Sequence, residues 1–150
     1  MNNLEKIKEF DVAIIGAGPS GVAAAIKLAK SNLTILLIDS NEQVGGQIYK
    51  ATPKEIAKKI LIKEHDIQLN FQNEIFKYKN LNYQPNFTVW QISENFRIDA
   101  FNNDTTKTWY AKKIIVANGT HERVIPFKGW TEPGVIGLAA STIVFKSQQI

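Results

Sequence analysis

The stretch that decides the fold is DVAIIGAGPSGVAAAIKLA, residues 11–29. Residues 10–15, FDVAII, are a short run that is apolar apart from Asp11 and rich in β-branched side chains, which is typical of a strand buried on both faces of a parallel sheet. The loop GAGPSG, residues 16–21, follows at once. The helix predicted over residues 19–30 has a proline in its first turn, where the missing N–H costs nothing, and its alanine-rich body can pack close to a sheet.

A second buried strand is predicted over residues 33–38, and Asp39 follows it directly. The acid therefore lies 18 positions after Gly21, in the strand, glycine loop, helix and strand context that the dinucleotide-binding fingerprint requires. Glycine spacing alone is a weak signal, because a tight strand–helix turn without a ligand also uses glycine. Three glycines together with a placed carboxylate favour a bound dinucleotide.

Each residue of the fingerprint has a distinct physical role. Gly16 allows the tight turn, Gly18 leaves room for a pyrophosphate to approach the backbone, and Gly21 lets the helix lie close to the strand. The helix N-terminus offers N–H groups and the positive end of its dipole to the phosphates. Asp39 would accept hydrogen bonds from the adenosine ribose hydroxyls, and its negative charge opposes a 2′-phosphate. The pattern therefore favours FAD or NAD over NADP.

The rest of the chain extends this unit to an α/β fold, a Rossmann-like FAD/NAD(P)-binding domain with a central parallel sheet and an antiparallel three-stranded β-meander. An amphipathic helix is expected over residues 53–63 and a third parallel strand over residues 67–71. Parallel strands are expected near Val12, Ile35, Ile67 and Ile114. Short strands between polar turns predict the meander at residues 87–92, 96–101 and 107–110. A strand over residues 114–117 and a final helix over residues 138–146 complete the pattern.

Three stretches of sequence carry a family resemblance: DVAIIGAGPSGVAAAIKLA at residues 11–29, LIDSNEQVGGQIY at 37–49 and IIVANGTHERVIPFKGWTEPGV at 114–135. Together they resemble the N-terminal FAD-binding region of the two-dinucleotide-binding-domain flavoproteins, which are pyridine nucleotide-disulfide oxidoreductase-like. Within that group the chain is most similar to the FAD-dependent amino-acid and opine oxidases and dehydrogenases, including hydrogen cyanide synthase and sarcosine oxidase alpha-type subunits.

The resemblance implies a longer set of cofactor-binding residues. Residues 45–47 would lie along the FAD near its ribityl and flavin end, Ile75 would offer backbone contacts to the adenine, and residues 117–119 would pack against the cofactor. The family usually has Thr where this chain has Asn118. The candidate cofactor-binding residues are Gly16, Gly18, Pro19, Ser20, Gly21, Asp39, Ser40, Gly45, Gly46, Gln47, Ile75, Ala117, Asn118 and Gly119.

Composition limits the chemistry that these 150 residues can perform. The 44% hydrophobic content fits one ordinary domain with a core, and the sequence contains no Cys. Disulfides, Cys zinc sites, iron–sulfur clusters and catalytic thiols are therefore excluded within it, so that redox chemistry requires a bound cofactor. Metal-ligand spacing is also absent. The net charge of +4 comes from scattered Lys with only two Arg, which indicates a solvated surface and no nucleic-acid partner.

The N-terminal segment does not have the pattern of a signal peptide. Residues 1–10 carry acidic as well as basic side chains, and the uncharged run at residues 12–26 is interrupted by three glycines and a proline. The run is also shorter than the roughly 20 apolar residues that span a bilayer. We therefore expect a cytoplasmic protein without a membrane span.

The function that these patterns favour is an FAD-binding oxidoreductase component of the amino-acid or opine dehydrogenase type. Its flavin would accept a hydride from a C–N bond of a small-molecule amine or amino acid. Residues 1–150 would form a single, partial FAD-binding domain, with the meander at about residues 86–111 and a possible second subunit completing the enzyme. The alternatives are a catalytically silent FAD- or NAD-binding module and a remnant that needs a partner. No catalytic residue is identified, and His121 is expected to be an exposed turn residue.

Overall fold

The computed structural model describes residues 9–49 and 63–148, and the structural statements below concern those residues. The amphipathic helix predicted over residues 53–63 lies outside them, apart from its last position. The described strands are β1 (Glu9–Phe10), β2 (Val12–Ile15), β3 (Ile35–Ile38), β4 (Leu81–Gln84), β5 (Thr88–Ser93), β6 (Arg97–Phe101), β7 (Thr106–Ala111) and β8 (Ile114–Val116). The described helices are α1 (Pro19–Ala29), α2 (Lys63–Phe76) and α3 (Leu138–Gln148).

The central sheet is parallel and has the strand order β4-β3-β2-β8. Across its middle, Ile14 of β2 pairs with Leu37 of β3 on one side and with Ile115 of β8 on the other. The residues of β3 are all buried, as expected for an apolar strand covered on both faces. The predicted βαβ unit and the central parallel sheet are therefore confirmed.

The predicted third strand at residues 67–71 is wrong, because these residues lie inside α2. Ile67, Phe71 and Ile75 are spaced by four residues, so a helix places them on one face, and Phe71 and Ile75 join the core. The third parallel neighbour is instead β4, which pairs with β3 and begins at Leu81. Alternation over five residues was too short a pattern to distinguish a strand from a helix with this spacing.

The second sheet contains the predicted antiparallel meander, formed by β5, β6 and β7. Strand β1 extends it by pairing in parallel with β7, which gives the order β1-β7-β6-β5. Only Asp11 separates β1 from β2, so one run of residues enters both sheets. The Asp11 carboxylate accepts hydrogen bonds from the backbone N–H and hydroxyl of Thr34 and forms an ion pair with Lys112. This residue therefore connects the two sheets at their shared corner.

The two faces of the parallel sheet contribute to separate cores. Ile14 and Leu37 pack with α1 and α2, whereas Leu36 packs with Ile98 and Trp109 of the meander. The parallel sheet thus lies between a helical layer and the meander, which is a mixed α/β arrangement. Within the described ranges, no helix has both the length and the apolar content needed to cross a membrane.

The C-terminal end of α1 is held by Asn80, which precedes β4. Its side-chain amide donates to the carbonyl oxygens of Ala29, Ser31 and Leu33 at 3.1, 2.9 and 2.8 Å. Ala29 is the last residue of α1, and its carbonyl has no intrahelical partner, so the bond from Asn80 satisfies a group that would otherwise be left open. The contact fixes the end of α1 opposite the glycine loop.

Candidate functional site

The candidate site lies at the carboxyl edge of the parallel sheet, where three strands end side by side. Gly16, Asp39 and Ala117 are the first residues after β2, β3 and β8. The N–H of Gly16 donates to the carbonyl of Ile38 at 2.8 Å, and the N–H of Ala117 donates to the carbonyl of Ile15 at 2.7 Å. The parallel register therefore brings together residues that are far apart in sequence, at the edge where open α/β sheets bind ligands.

Two glycines of the loop are required by packing within the protein. Gly16 has a φ of +103°, and a Cβ built on it would overlap the Ala117 carbonyl group. A Cβ built on Gly21 would overlap the carbonyl oxygen of Gly16 and lie 3.4 Å from the Cβ of Ala117. Both positions therefore need glycine so that the loop, α1 and the end of β8 can approach one another.

Gly18 is different, because no atom of the described residues requires it to be glycine. A Cβ built there would have the Gly46 Cα, 4.0 Å away, as its nearest contact beyond the adjacent residues, and the φ of −69° suits any residue. Gly18 is the N-cap of α1, which has no side-chain cap and no acidic residue in its first turn. An open approach to the positive end of a helix dipole fits a bound phosphate.

The second glycine pair packs directly on this loop. The N–H of Gly45 donates to the carbonyl of Ala17 at 2.8 Å, and a Cβ on Gly46 would lie 3.0 Å from the Cα of Gly18. The neighbouring Val44 is buried in the core and anchors the segment. Residues 45 and 46 therefore form a wall of the same site, although they follow a different strand.

Asp39 is half-buried and points into the glycine loop. Its Oδ2 accepts the N–H of Ala17 at 2.6 Å, and its Oδ1 accepts the backbone N–H and side-chain amide of Asn41 at 2.7 and 2.8 Å. The sequence predicted Asp39 as a ribose ligand but did not predict its hydrogen bonds with Asn41. An Asn two positions after an Asp at a strand end is a turn signal that could have identified it.

Tyr83 of β4 lies beside this acidic turn. Burial raises the pKa of its phenol above the usual value, and the carboxylates of Asp39 and Glu42 act in the same direction. Its hydroxyl donates to the carbonyl oxygen of Glu42 at 3.3 Å. Tyr83 therefore stays neutral and supports the segment that follows Asp39.

The remaining candidate residues occupy different surroundings. Ser20, Gln47, Asn118 and Gly119 are exposed near the site, whereas the Ile75 side chain is buried in the core from α2. The adenine contact expected of Ile75 stays a prediction. Ser40 lines a polar cleft of about 450 Å³ that the sequence did not indicate, because its other residues come from the start and turns of the meander. They are Asn86, Thr88, Phe101, Asn102, Asn103 and Asp104.

The segment after β8 contributes a structural contact. The Glu122 carboxylate accepts the N–H of Ala139 in the first turn of α3 at 3.3 and 3.2 Å from its two oxygens, which is a favourable position for an acid. His121 is exposed, in accordance with the expectation. In the part of the chain that the structure describes, no group of three or more His, Asp or Glu residues is arranged to hold a metal ion.

A parallel sheet with an open glycine at an uncapped helix N-terminus, and a carboxylate after the next strand, defines a dinucleotide-binding protein of the Rossmann-like class. Residues 10–147 match the family model described as pyridine nucleotide-disulphide oxidoreductase, and the chain belongs to this family. The resemblance identified from the sequence is thereby confirmed.

Curated relatives share the sequence at low identity. The opine oxidase A protein of Agrobacterium tumefaciens (strain Ach5) is 28% identical over 147 residues, which cover 92% of this chain and 29% of the relative. Hydrogen cyanide synthase subunit HcnB of Pseudomonas protegens is 26% identical, over 89% of this chain and 29% of the relative. The alpha chain of sarcosine oxidase from Corynebacterium sp. (strain P-1) is 26% identical, over 84% of this chain and 14% of the relative. The chain therefore spans less than a third of each relative, and all three are named as subunits of their enzymes.

Solved structures share the fold. L-proline dehydrogenase from P. horikoshii matches with a TM-score of 0.69 at 24% identity, over 95% of this chain and 29% of its own. The HOCl-induced flavoprotein disulfide reductase RclA from Escherichia coli matches with a TM-score of 0.71 at 16% identity, over 94% of this chain and 35% of its own. The family and its flavoprotein members indicate FAD binding. The open Gly18, the N-terminus of α1 and the acceptor atoms of Asp39 fit the phosphates and ribose of such a cofactor.

Proposed function

We propose that this chain is the FAD-holding part of an oxidoreductase that acts on the C–N bond of an amino acid or opine. The observation that carries the proposal is the open space at Gly18, since packing accounts for Gly16 and Gly21 but not for this position. The opine oxidase, hydrogen cyanide synthase and sarcosine oxidase relatives support the substrate class. When bound, FAD would supply a flavin that accepts a hydride from the substrate.

The residues of this chain would bind and orient the cofactor. The loop at residues 16–21 would hold the pyrophosphate against the N-terminus of α1, and Asp39 would accept a ribose hydroxyl. Residues 45–47 would line the path toward the flavin, and residues 117–119 would support it from the end of β8. No acid or base for substrate oxidation is assigned to this chain.

A catalytically silent FAD- or NAD-binding module is the second candidate. The geometry at the glycine loop supports this candidate as well, because the open Gly18 and the N-terminus of α1 account for dinucleotide binding without a residue that acts on a substrate. In either case the cofactor site is the same. A cytoplasmic location remains a prediction of the sequence.

A spectroscopic experiment tests cofactor binding. The purified chain is incubated with FAD and desalted, and its visible spectrum is recorded. We expect a retained flavin band that is lost in Gly18→Val, because the added side chain would occupy the path of the pyrophosphate. Titration calorimetry with FAD and with NAD separates the two dinucleotides. A chain that retains no flavin, or a Gly18→Val variant that retains it fully, would contradict the proposal.

We further propose that a second polypeptide covers the outer edge of β8. Among the described strands, β8 pairs with β2 on one side and with none on the other, and Val116 is 63% exposed. Residues 138–145 of α3 are uncharged, and none of their side chains is buried. The backbone N–H and C=O groups along this edge of β8 need hydrogen-bond partners. An added strand can supply these partners, whereas lipid cannot. The multi-subunit nature of the relatives supports a polypeptide as the occupant.

Co-expression of the full chain with each polypeptide encoded beside its gene tests this surface. We expect one of them to co-purify and to slow amide exchange in β8, and Val116→Lys to abolish both effects. A chain that pairs with none of these polypeptides, or a Val116→Lys variant that still pairs with one of them, would contradict the proposal.

A further inference from the structure

The Asp39 carboxylate makes three hydrogen bonds within the protein, and one of them crosses to the glycine loop. Its Oδ2 accepts the N–H of Ala17 at 2.6 Å, across 22 positions of sequence. Its Oδ1 accepts two N–H groups from Asn41, at 2.7 Å from the backbone and 2.8 Å from the side chain. The carboxylate is therefore already bound at both oxygens in the protein alone.

We infer that Asp39 is a positioning residue for the phosphate-binding loop, and that it has one acceptor position left for the ribose. The assignment of the remaining acceptor position to the ribose rests on the proposed function. An ionised carboxylate has about four acceptor positions, two on each oxygen. Asn41 takes both positions on Oδ1, and Ala17 takes one on Oδ2. The remaining position lies on the oxygen that faces the glycine loop, so Asp39 accepts one ribose hydroxyl and not two.

Asp39 is suited to this role because its own backbone is fixed on both sides. Its N–H donates to the carbonyl of Gln84 at 3.1 Å, and its carbonyl accepts the N–H of Phe87 at 3.0 Å. The carboxylate therefore starts from a rigid strand end next to β4. The hydrogen bond from the Ala17 N–H to Asp39 Oδ2 therefore determines the position of the glycine loop.

Ala17 transmits the constraint to the rest of the site. It is fully buried, and its carbonyl accepts the N–H of Gly45 at 2.8 Å. The peptide groups around Ala17 thus connect Asp39, the second glycine pair and Gly18, whose open side faces the expected phosphate. Removal of the Asp39 charge should therefore disturb the phosphate loop as well as the ribose contact.

The first experiment needs no ligand. Amide NMR spectra and hydrogen exchange of the full chain are compared for the wild type, Asp39→Asn and the control Asp11→Asn. Asp11 is a matched control because its carboxylate also has three partners, the N–H and hydroxyl of Thr34 and the ammonium group of Lys112. We expect Asp39→Asn to shift the Ala17 and Gly18 amides and to speed exchange at Ala17 about tenfold or more. Asp11→Asn should leave them unchanged.

The second experiment measures the affinity of ADP, 2′-deoxy-ADP and 3′-deoxy-ADP by titration calorimetry. We expect one deoxy analogue to bind wild-type protein about tenfold or more weakly than ADP and the other to bind like ADP. Asp39→Asn should bind all three with nearly equal, lower affinity. This loss of discrimination is a result that general destabilisation would not produce. Equal weakening of both analogues, or of neither, in the wild type would overturn the single-acceptor assignment.

The two experiments separate this inference from the proposed function. An unchanged Ala17 amide in Asp39→Asn overturns the positioning role, whether or not the chain binds FAD. A wild-type chain that binds neither ADP nor FAD overturns the ribose assignment together with the proposed function, whereas the amide comparison still decides the positioning role. If Asp39→Asn does not fold, Asn41→Ala is the second variant. It removes one donor from Oδ1, and a shift of the Ala17 amide is expected, whose absence overturns the positioning role.

Discussion

At the scale of single residues, the three glycines of one motif serve different physical needs. Gly16 and Gly21 are required by close contacts inside the protein, whereas Gly18 faces open space. The spacing of the motif predicted these roles, and packing within the protein accounts for Gly16 and Gly21. The role of Gly18 as the approach for a pyrophosphate stays a prediction.

The same substitution at two of these glycines should therefore have opposite consequences. Gly18→Ala is expected to change the free energy of unfolding by less than about 1 kcal/mol and to weaken FAD binding about tenfold or more. Gly21→Ala is expected to lower the free energy of unfolding by about 2–4 kcal/mol, because its Cβ would overlap the Gly16 carbonyl oxygen.

Urea unfolding and FAD titration of both variants check this pair. Each variant is the control for the other, since the chemical change is identical and the two positions lie in one loop. A Gly18→Ala protein that binds FAD normally would show that the pyrophosphate does not pass this residue.

At the scale of the elements, short patterns were the source of the error in the sequence prediction. The five residues 67–71 alternate in a way that suits a strand, but Ile67, Phe71 and Ile75 continue the spacing of a helix. The strand β4 was not predicted, because LNYQ is short and has no β-branched residue. Its position next to β3 depends on backbone pairing across the sheet, which the local sequence does not show.

The corner between β1 and β2 should respond to acid. The ammonium group of Lys112, followed by the N–H and hydroxyl of Thr34, lowers the pKa of Asp11 to about 2 from its usual 3.8. A carboxyl group whose pKa is lowered by folding contributes its full stabilisation at pH values above its pKa in the unfolded chain. This stabilisation is lost as the pH falls through about 2. Wild-type protein should therefore lose more stability than Asp11→Asn between about pH 4 and pH 2.

Urea unfolding at a series of pH values measures this difference. Asp104→Asn is a suitable control, because Asp104 is an exposed turn residue whose carboxylate accepts no hydrogen bond and forms no ion pair within the described residues. An identical acid response of wild type and Asp11→Asn would exclude a stabilising role for the corner.

The end of α1 provides a second test at this scale. Asn80→Ala should lower the free energy of unfolding by about 1–3 kcal/mol, because three carbonyl groups near the helix end lose their donor. Asn32→Ala, at an exposed asparagine close to the same turn, should change it by less than about 0.5 kcal/mol. Thermal or urea unfolding checks both, and equal effects would show that the Asn80 bonds do not matter.

At the scale of the whole molecule, the described residues cover both faces of the parallel sheet but leave large apolar side chains exposed from β8 onward. Two cores fill the spaces above and below the parallel sheet. In contrast, Val116, Ile125, Ile136, Leu138 and Phe145 are large apolar side chains that remain more than half exposed. Large apolar side chains that stay exposed favour a contact with another polypeptide.

The outer edge of β8, which is unpaired among the described strands, should make the isolated chain self-associate. Val116→Lys is expected to reduce light scattering at high protein concentration, because a lysine on an edge strand opposes pairing with another strand. Thr106→Lys adds the same charge at an exposed position of β7, away from β8, and should have little effect. Equal scattering by wild type and Val116→Lys would show that the β8 edge does not drive association.

The sequence by itself determined the βαβ unit, the meander and the family, because these depend on local periodicity, on glycines that lie close together and on an acid at the end of a strand. Only the tertiary structure decided that β4 is the third parallel neighbour in the sheet, that Gly45 and Gly46 pack on the first glycine loop, and that Asp39 bonds to Ala17. These features depend on contacts between residues far apart in the chain. No local pattern records them, since they arise when parallel strands align and bring their carboxyl ends to one edge.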